Sequence, residues 1–200
     1  MSLQPYSVPK DGFIGTGTKA SVYNDHASSS QHDIDTLDEF VLGTKIRYYN
    51  ATLGGFGTCI YLRYSAGAEV LAAGYPVQLD PTLDDAYYVT GDASTFAGLH
   101  QAPTAIALSA MTTTNYGWFW CGGVCPDFTG LDGSTAFSAE TVATDNSIVA
   151  GSAFESDGAT DGHIELAGTG TTLPHMGVAL ADDGGATTDM ANLVLFDNWG

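Results

Sequence analysis

The chain has 200 residues, 44% of them hydrophobic, so it can bury a sizeable core and is too apolar to be disordered throughout. Its formal net charge is −18, and the first 63 positions hold all five basic residues but only six of the 23 acidic ones. A surface this acidic repels the phosphate groups of nucleic acids, so we expect no direct nucleic-acid binding. A halophilic or marine source is the alternative explanation for the charge.

Targeting and membrane segments are not expected from the sequence. No apolar run reaches the roughly 18 residues that a membrane-spanning helix needs. The first ten residues also lack the apolar region of a signal peptide. We therefore expect no membrane association.

Residues 1–45 are predicted to form an irregular N-terminal arm. Pro5, Pro9 and three glycines prevent long regular elements here, and residues 25–33 are a polar, low-complexity stretch. One interpretation is an arm that becomes ordered by contact with another molecule. The alternative is an ordinary extension wrapped on its own domain.

The β pattern begins after the arm. Residues 46–50 and 58–64 are predicted strands that flank the glycine-rich residues 53–57. In the second strand, Cys59, Tyr61 and Arg63 alternate with more apolar residues, so one face is expected to be more apolar than the other.

Residues 105–111 and 116–120 predict a β-hairpin. The first run is apolar, the second is aromatic, and a polar turn at 112–115 separates them. Gly122, Gly123 and Pro126 are expected to end the second strand. Because aromatic side chains carry the largest apolar area, this hairpin is predicted to be the centre of the core.

The sequence also predicts an internal repeat. Gly74 in the first unit matches Gly151, 77 positions later, and the strands predicted at 86–89 and 163–166 follow at the same offset. A second hairpin pattern follows at 175–181 and 191–196. The predicted fold is therefore all-β, with short antiparallel strands and hairpins in two related units, as a barrel or a sandwich. Unit 1 spans 46–126 and unit 2 spans 127–200, packed as one domain. Trp199 predicts that the C-terminus is docked.

Candidate catalytic and metal-binding residues are few. Cys121 and Cys125 lie close together, with Cys59 elsewhere, but zinc would need a fourth ligand that no nearby Cys or His pair supplies. A Cys–His pair would require His100 or His175, and the spacing selects neither. We expect reduced core cysteines, no metal, no cofactor and no enzymatic activity.

Aspartates cluster in turns at 80–85, 157–162 and 182–185. These turns could gather carboxylates around Ca²⁺, but none has the spacing of an EF-hand loop. Aspartate also favours turns by bonding to its own backbone, and turn formation is the preferred interpretation.

Several short segments together point to a known family. They are residues 42–45, 60–62, 67–70, 74–77, 87–90, 105–108, 116–120 and 177–181. Over roughly residues 40–197 the chain thus resembles the head-decoration (cement) proteins of tailed bacteriophages. The resemblance implies a β-rich, trimeric virion protein, made in the host cytoplasm, that clamps major capsid subunits from outside. It implies no catalytic residues.

The expected capsid contact uses the basic residues of the N-terminal part. They are Lys10, Lys19, Lys45 and Arg47, and the acidic units would face solvent or form the trimer. The alternative function is a carbohydrate-binding or adhesive β module on a virion or cell surface. A third is a hydrolase with an unrecognised site at His100, His175 or Cys121.

Overall fold

The described chain is all-β, as predicted. The computed structural model describes residues 40–50, 54–66, 71–72, 74–80, 87–92, 103–108, 110–112, 114–125, 149–156, 163–167, 175–181 and 193–199. These residues form ten strands and no helix. The strands are β1 (Lys45–Asn50), β2 (Gly55–Ala66), β3 (Pro76–Leu79), β4 (Tyr88–Thr90), β5 (Thr104–Ala107), β6 (Tyr116–Val124), β7 (Ala153–Ser156), β8 (Ile164–Leu166), β9 (His175–Ala179) and β10 (Leu193–Leu195).

All ten strands belong to one sheet, which is organised around β2. β2 pairs antiparallel with β1 and β6 and parallel with β4. β4, β3, β5 and β6 pair in succession, so the β2–β6 ladder closes a cycle of five strands. β1 extends the sheet from β2, and β10, β9, β7 and β8 extend it from β6.

The predicted central hairpin is present as β5 and β6. Ile106 pairs with Trp120, and the turn contains Thr114 with a φ of 72°. The prediction that Gly122 and Gly123 end the second strand is wrong, because β6 continues to Val124. Gly123 has a φ of 72°, and a Cβ there would overlap the Phe56 carbonyl oxygen. Glycine therefore lets β6 pass close to β2.

Two apolar cores lie on opposite faces of β2 and β6. The ring core is formed by one face of the five-strand cycle: Ile60, Leu62, Tyr64, Leu71, Val77, Val89, Ala105, Ala107, Met111, Phe119 and Cys121. The second core is formed by the other face, packed against β1 and unit 2: Ile46, Tyr48, Cys59, Tyr61, Ile106, Leu108, Trp118, Trp120, Cys125, Phe154, Ile164, Met176, Ala179, Leu193 and Leu195. β2 is consequently buried on both faces between Cys59 and Leu62.

The strands of the two predicted units pair in the same order. β4–β3–β5–β6 corresponds to β8–β7–β9–β10, and the two sets meet in the β6–β10 ladder. Gly74 and Gly151 both have positive φ, and their N–H groups donate to equivalent carbonyls, of Ala107 and Ala179. The strand after the Asp-rich turn is displaced from the predicted offset. Leu79 pairs with Val89 but Ser156 pairs with Ile164, so the second connection is two residues shorter.

Both ends of the described chain are packed on the sheet. The Phe40 ring contacts Tyr61 and Trp118, each with centroids 5.2 Å apart, and Gly43 N–H donates to the Tyr61 carbonyl. The Trp199 indole N–H donates to the Thr104 carbonyl at 2.8 Å, as the predicted docking requires. Of the predicted arm, residues 1–39 lie outside the described residues, and Phe40 marks where the arm joins the sheet.

Candidate interaction surface

β1 carries two of the four predicted contact residues on one face. Ile46, Tyr48 and Asn50 are buried, whereas Lys45 is half-buried and Arg47 and Tyr49 are exposed. This alternation follows from the two-residue period of a strand. Lys10 and Lys19 lie outside the described residues, so the structure brings together only Lys45 and Arg47.

Lys45 holds the C-terminal segment against β1. Its Nζ lies 3.0 Å from Asp197 Oδ1 and 3.2 Å from Oδ2. Because both side chains are partly exposed, such a pair contributes at most about 1 kcal/mol to stability. Asp197 offsets much of the Lys45 charge, and the contact of Lys45 with a partner stays a prediction.

Arg47 lies on an aromatic ring. Its guanidinium carbon is 4.2 Å from the centroid of the Phe56 ring. In the described part of the chain Arg47 forms no ion pair. A cation over an exposed ring gains roughly 0.5–1 kcal/mol, so Phe56 favours this position of the guanidinium.

Tyr49 lies on the same exposed face of β1 as Arg47 and packs against Phe56. Tyr49 and Phe56 are directly opposite in the β1–β2 ladder, with ring centroids 5.1 Å apart and an interplanar angle of 61°. They remain 37% and 45% exposed. We name the group formed by Arg47, Tyr49 and Phe56 the Arg47 surface. Arginine and tyrosine are among the residues enriched in the energetic centres of protein interfaces.

The sequence indicated Arg47 but missed Tyr49 and Phe56. Tyr49 follows the buried Tyr48, and only the strand alternation distinguishes the two. Phe56 lies between Gly55 and Gly57, a pattern that is typical of a turn rather than of an aromatic contact. Knowledge of the β1–β2 register would have placed both rings beside Arg47.

The cysteines do not assemble a zinc site. Cys121 belongs to the ring core, whereas Cys59 and Cys125 belong to the second core, and no disulfide links them. In a regular strand Cys121 and Cys125 would share a face. The positive φ of Gly123 between them interrupts that alternation. No group of three or more metal-ligating side chains occurs among the described residues.

The other candidate groups have structural partners where the structure describes them. The Asp80 carboxylate is buried and accepts a hydrogen bond from Ser65 Oγ at 2.7 Å. His175 lies 4.0 Å from the buried Glu155 on the neighbouring strand. His100 and the remaining aspartates of the 80–85 and 157–162 turns lie outside the described residues.

The buried Cys121 thiol is expected to make the folded protein less stable at alkaline pH. Burial raises the pKa of this thiol above its ordinary value of 9.0, and Asp197 raises it further, while Lys45 opposes the shift. The contribution of the buried neutral thiol to the free energy of unfolding is complete below pH 9.0. It is lost at higher pH, because there the Cys121 thiol ionises in the unfolded chain while it stays neutral in the folded protein. Above that pH we expect the free energy of unfolding to fall more steeply in the wild type than in Cys121→Ala, by roughly 1.4 kcal/mol per pH unit. Urea titrations between about pH 8 and pH 10.5 measure this, and parallel curves would contradict it.

Comparison with protein-family models, with curated proteins and with solved structures finds no match for this chain. The described residues contain no helix long and apolar enough to cross a membrane.

Proposed function

We propose that this chain is a structural virion protein that decorates the outside of a phage capsid and bridges neighbouring major capsid subunits, acting as a homotrimer. The observation that carries the proposal is the Arg47 surface, an exposed cation with two aromatic rings on the β1–β2 ladder. The resemblance to head-decoration proteins supports the same conclusion.

The fold is suited to a structural protein that must resist mechanical strain. β2 is buried on both faces between Cys59 and Leu62, and the large side chains Trp118, Phe119 and Trp120 are each at most 1% exposed. Interiors packed in this way transmit strain instead of absorbing it. A stiff scaffold repeated by a symmetric oligomer can hold many individually weak contacts at once, which gives avidity.

Two faces of the scaffold would meet the capsid. Arg47 and Tyr49 lie on one face of β1, while Phe40, where the arm joins, packs on the Tyr61 side. The predicted arm with Lys10 and Lys19 therefore starts on the face opposite the Arg47 surface. In this proposal the arm becomes ordered when the protein docks. It then extends the contact with the capsid, but it loses conformational entropy.

Removal of residues 1–39 is expected to weaken capsid binding strongly and to leave the β scaffold folded, because the deletion retains Phe40 and its ring contacts. Co-sedimentation with capsids that lack this protein measures binding, and near-ultraviolet circular dichroism measures tertiary structure. We expect at least a tenfold loss of affinity, since arm and scaffold would no longer bind together. Phe40→Ala in the full-length chain is the control, because it removes only the ring contacts at the point where the arm joins the sheet. Binding by the truncated protein at wild-type affinity would contradict the role of the arm.

A second candidate function is carbohydrate binding, and the exposed Tyr49 and Phe56 rings favour it. Aromatic side chains on one sheet face provide apolar area with polar edges, which suits sugar rings. A glycan array probed with the wild type and with Tyr49→Ala, each with and without a chelator, tests this function. Glycan binding that disappears in Tyr49→Ala would favour it over capsid decoration.

A further inference from the structure

The Arg47 surface has the chemistry to recognise one kind of partner. We propose that it docks an acidic segment of the partner capsid subunit, with a carboxylate on Arg47 and an apolar side chain against Tyr49 and Phe56. This inference rests on the proposed function and adds the chemistry of the contact.

The guanidinium geometry supports a carboxylate. The Arg47 guanidinium carbon lies 4.2 Å from the centroid of the Phe56 ring, and a guanidinium over a ring can still donate from the N–H groups at its edge. These donors match the two oxygens of a carboxylate in a bidentate pair, which is stronger and more directional than a single hydrogen bond. Since Arg47 has no ion pair in the described part of the chain, it need not break one to bind.

The aromatic rings support an apolar side chain beside that carboxylate. Tyr49 and Phe56 are 37% and 45% exposed, and they meet at 61°, so their faces form a shallow corner next to the guanidinium. An apolar group in this corner would exclude water from the ion pair and strengthen it.

The charge distribution supports an acidic partner over a basic one. Asp197 offsets Lys45, and beyond position 63 the chain has no lysine or arginine. A carboxylate of an acidic partner complements the Arg47 guanidinium, whereas a cation of a basic partner would be repelled by it.

The test compares full-length variants that have equal net charge. Arg47→Gln and Thr112→Glu each make the net charge more negative by one, but exposed Thr112 lies outside the Arg47 surface. The probe is a purified phage capsid that lacks this protein, and affinity is measured by co-sedimentation. We expect Arg47→Gln to weaken binding by at least about 30-fold, and Arg47→Lys by about tenfold because it keeps the charge but loses the planar fork. Thr112→Glu should stay within about twofold, because surface charges far from a contact matter little.

The outcomes separate this inference from the proposed function. If the wild type binds capsids and Arg47→Gln binds equally well, the Arg47 surface is not the contact and the inference is overturned. Equal losses in Arg47→Gln and Thr112→Glu overturn it too, because net charge would then explain both. If the folded wild type does not bind capsids, the proposed function is overturned. Sugar binding that depends on Arg47 would replace the acidic partner with a glycan.

Discussion

Gly123→Ala is expected to destabilise the protein by about 2–5 kcal/mol. A left-handed φ costs a residue with a Cβ roughly 1–2 kcal/mol. The new Cβ would also overlap the carbonyl oxygen of Phe56 and crowd the Gly57 Cα, which are backbone atoms of β2 and cannot rotate away. Forcing such atoms apart typically costs a further 1–3 kcal/mol. Urea denaturation followed by tryptophan fluorescence measures the sum.

Gly54→Ala is the matched control for that substitution. Gly54 has a φ of 70°, close to the 72° of Gly123, but a Cβ there would meet nothing within 4 Å. Its cost should therefore be the conformational penalty alone, about 1–2 kcal/mol. If the two variants lose the same stability, close packing of β6 on β2 is not what requires glycine at 123.

Trp120→Ala is expected to lower the free energy of unfolding by about 3–5 kcal/mol. Trp120 is fully buried in the second core, where unit 2 packs on β2 and β6, and its indole N–H donates to the Gly122 carbonyl at 3.1 Å. Truncation leaves a cavity between the two units and removes this hydrogen bond. For a chain of this size the midpoint of thermal unfolding should fall by roughly 6–20 °C. Thermal circular dichroism measures it.

Leu180→Ala is the comparison for the loss of an apolar side chain without a cavity. Leu180 is 50% exposed, so its removal should change stability by no more than about 0.5 kcal/mol. A Trp120→Ala variant as stable as Leu180→Ala would mean that the second core does not hold unit 2 against the rest of the sheet.

Local sequence patterns were sufficient to predict the strands. The central hairpin, the β1–β2 pair and the docked Trp199 all follow from apolar runs, turn residues and aromatic content over a few positions. Gly122 and Gly123 misled the prediction because glycine usually weakens a strand, whereas here it permits two strands to approach closely. That approach depends on β2, far away in the sequence.

Long-range pairing explains what the sequence could not predict. The alternation in β2 indicated one apolar face, but both faces are buried because unit 2 covers the second. Lys45 was predicted as a partner contact, and its carboxylate partner Asp197 lies 152 positions away. The Arg47 surface likewise exists only once Tyr49 and Phe56 are brought into register.

Capsid decoration is tested most directly by the binding isotherm of the full-length protein on purified phage capsids that lack it. We expect saturable co-sedimentation at a fixed number of copies per capsid, with a trimer by light scattering and a large loss of affinity in Arg47→Gln. A folded protein that stays in the supernatant at every concentration and salt condition would contradict it.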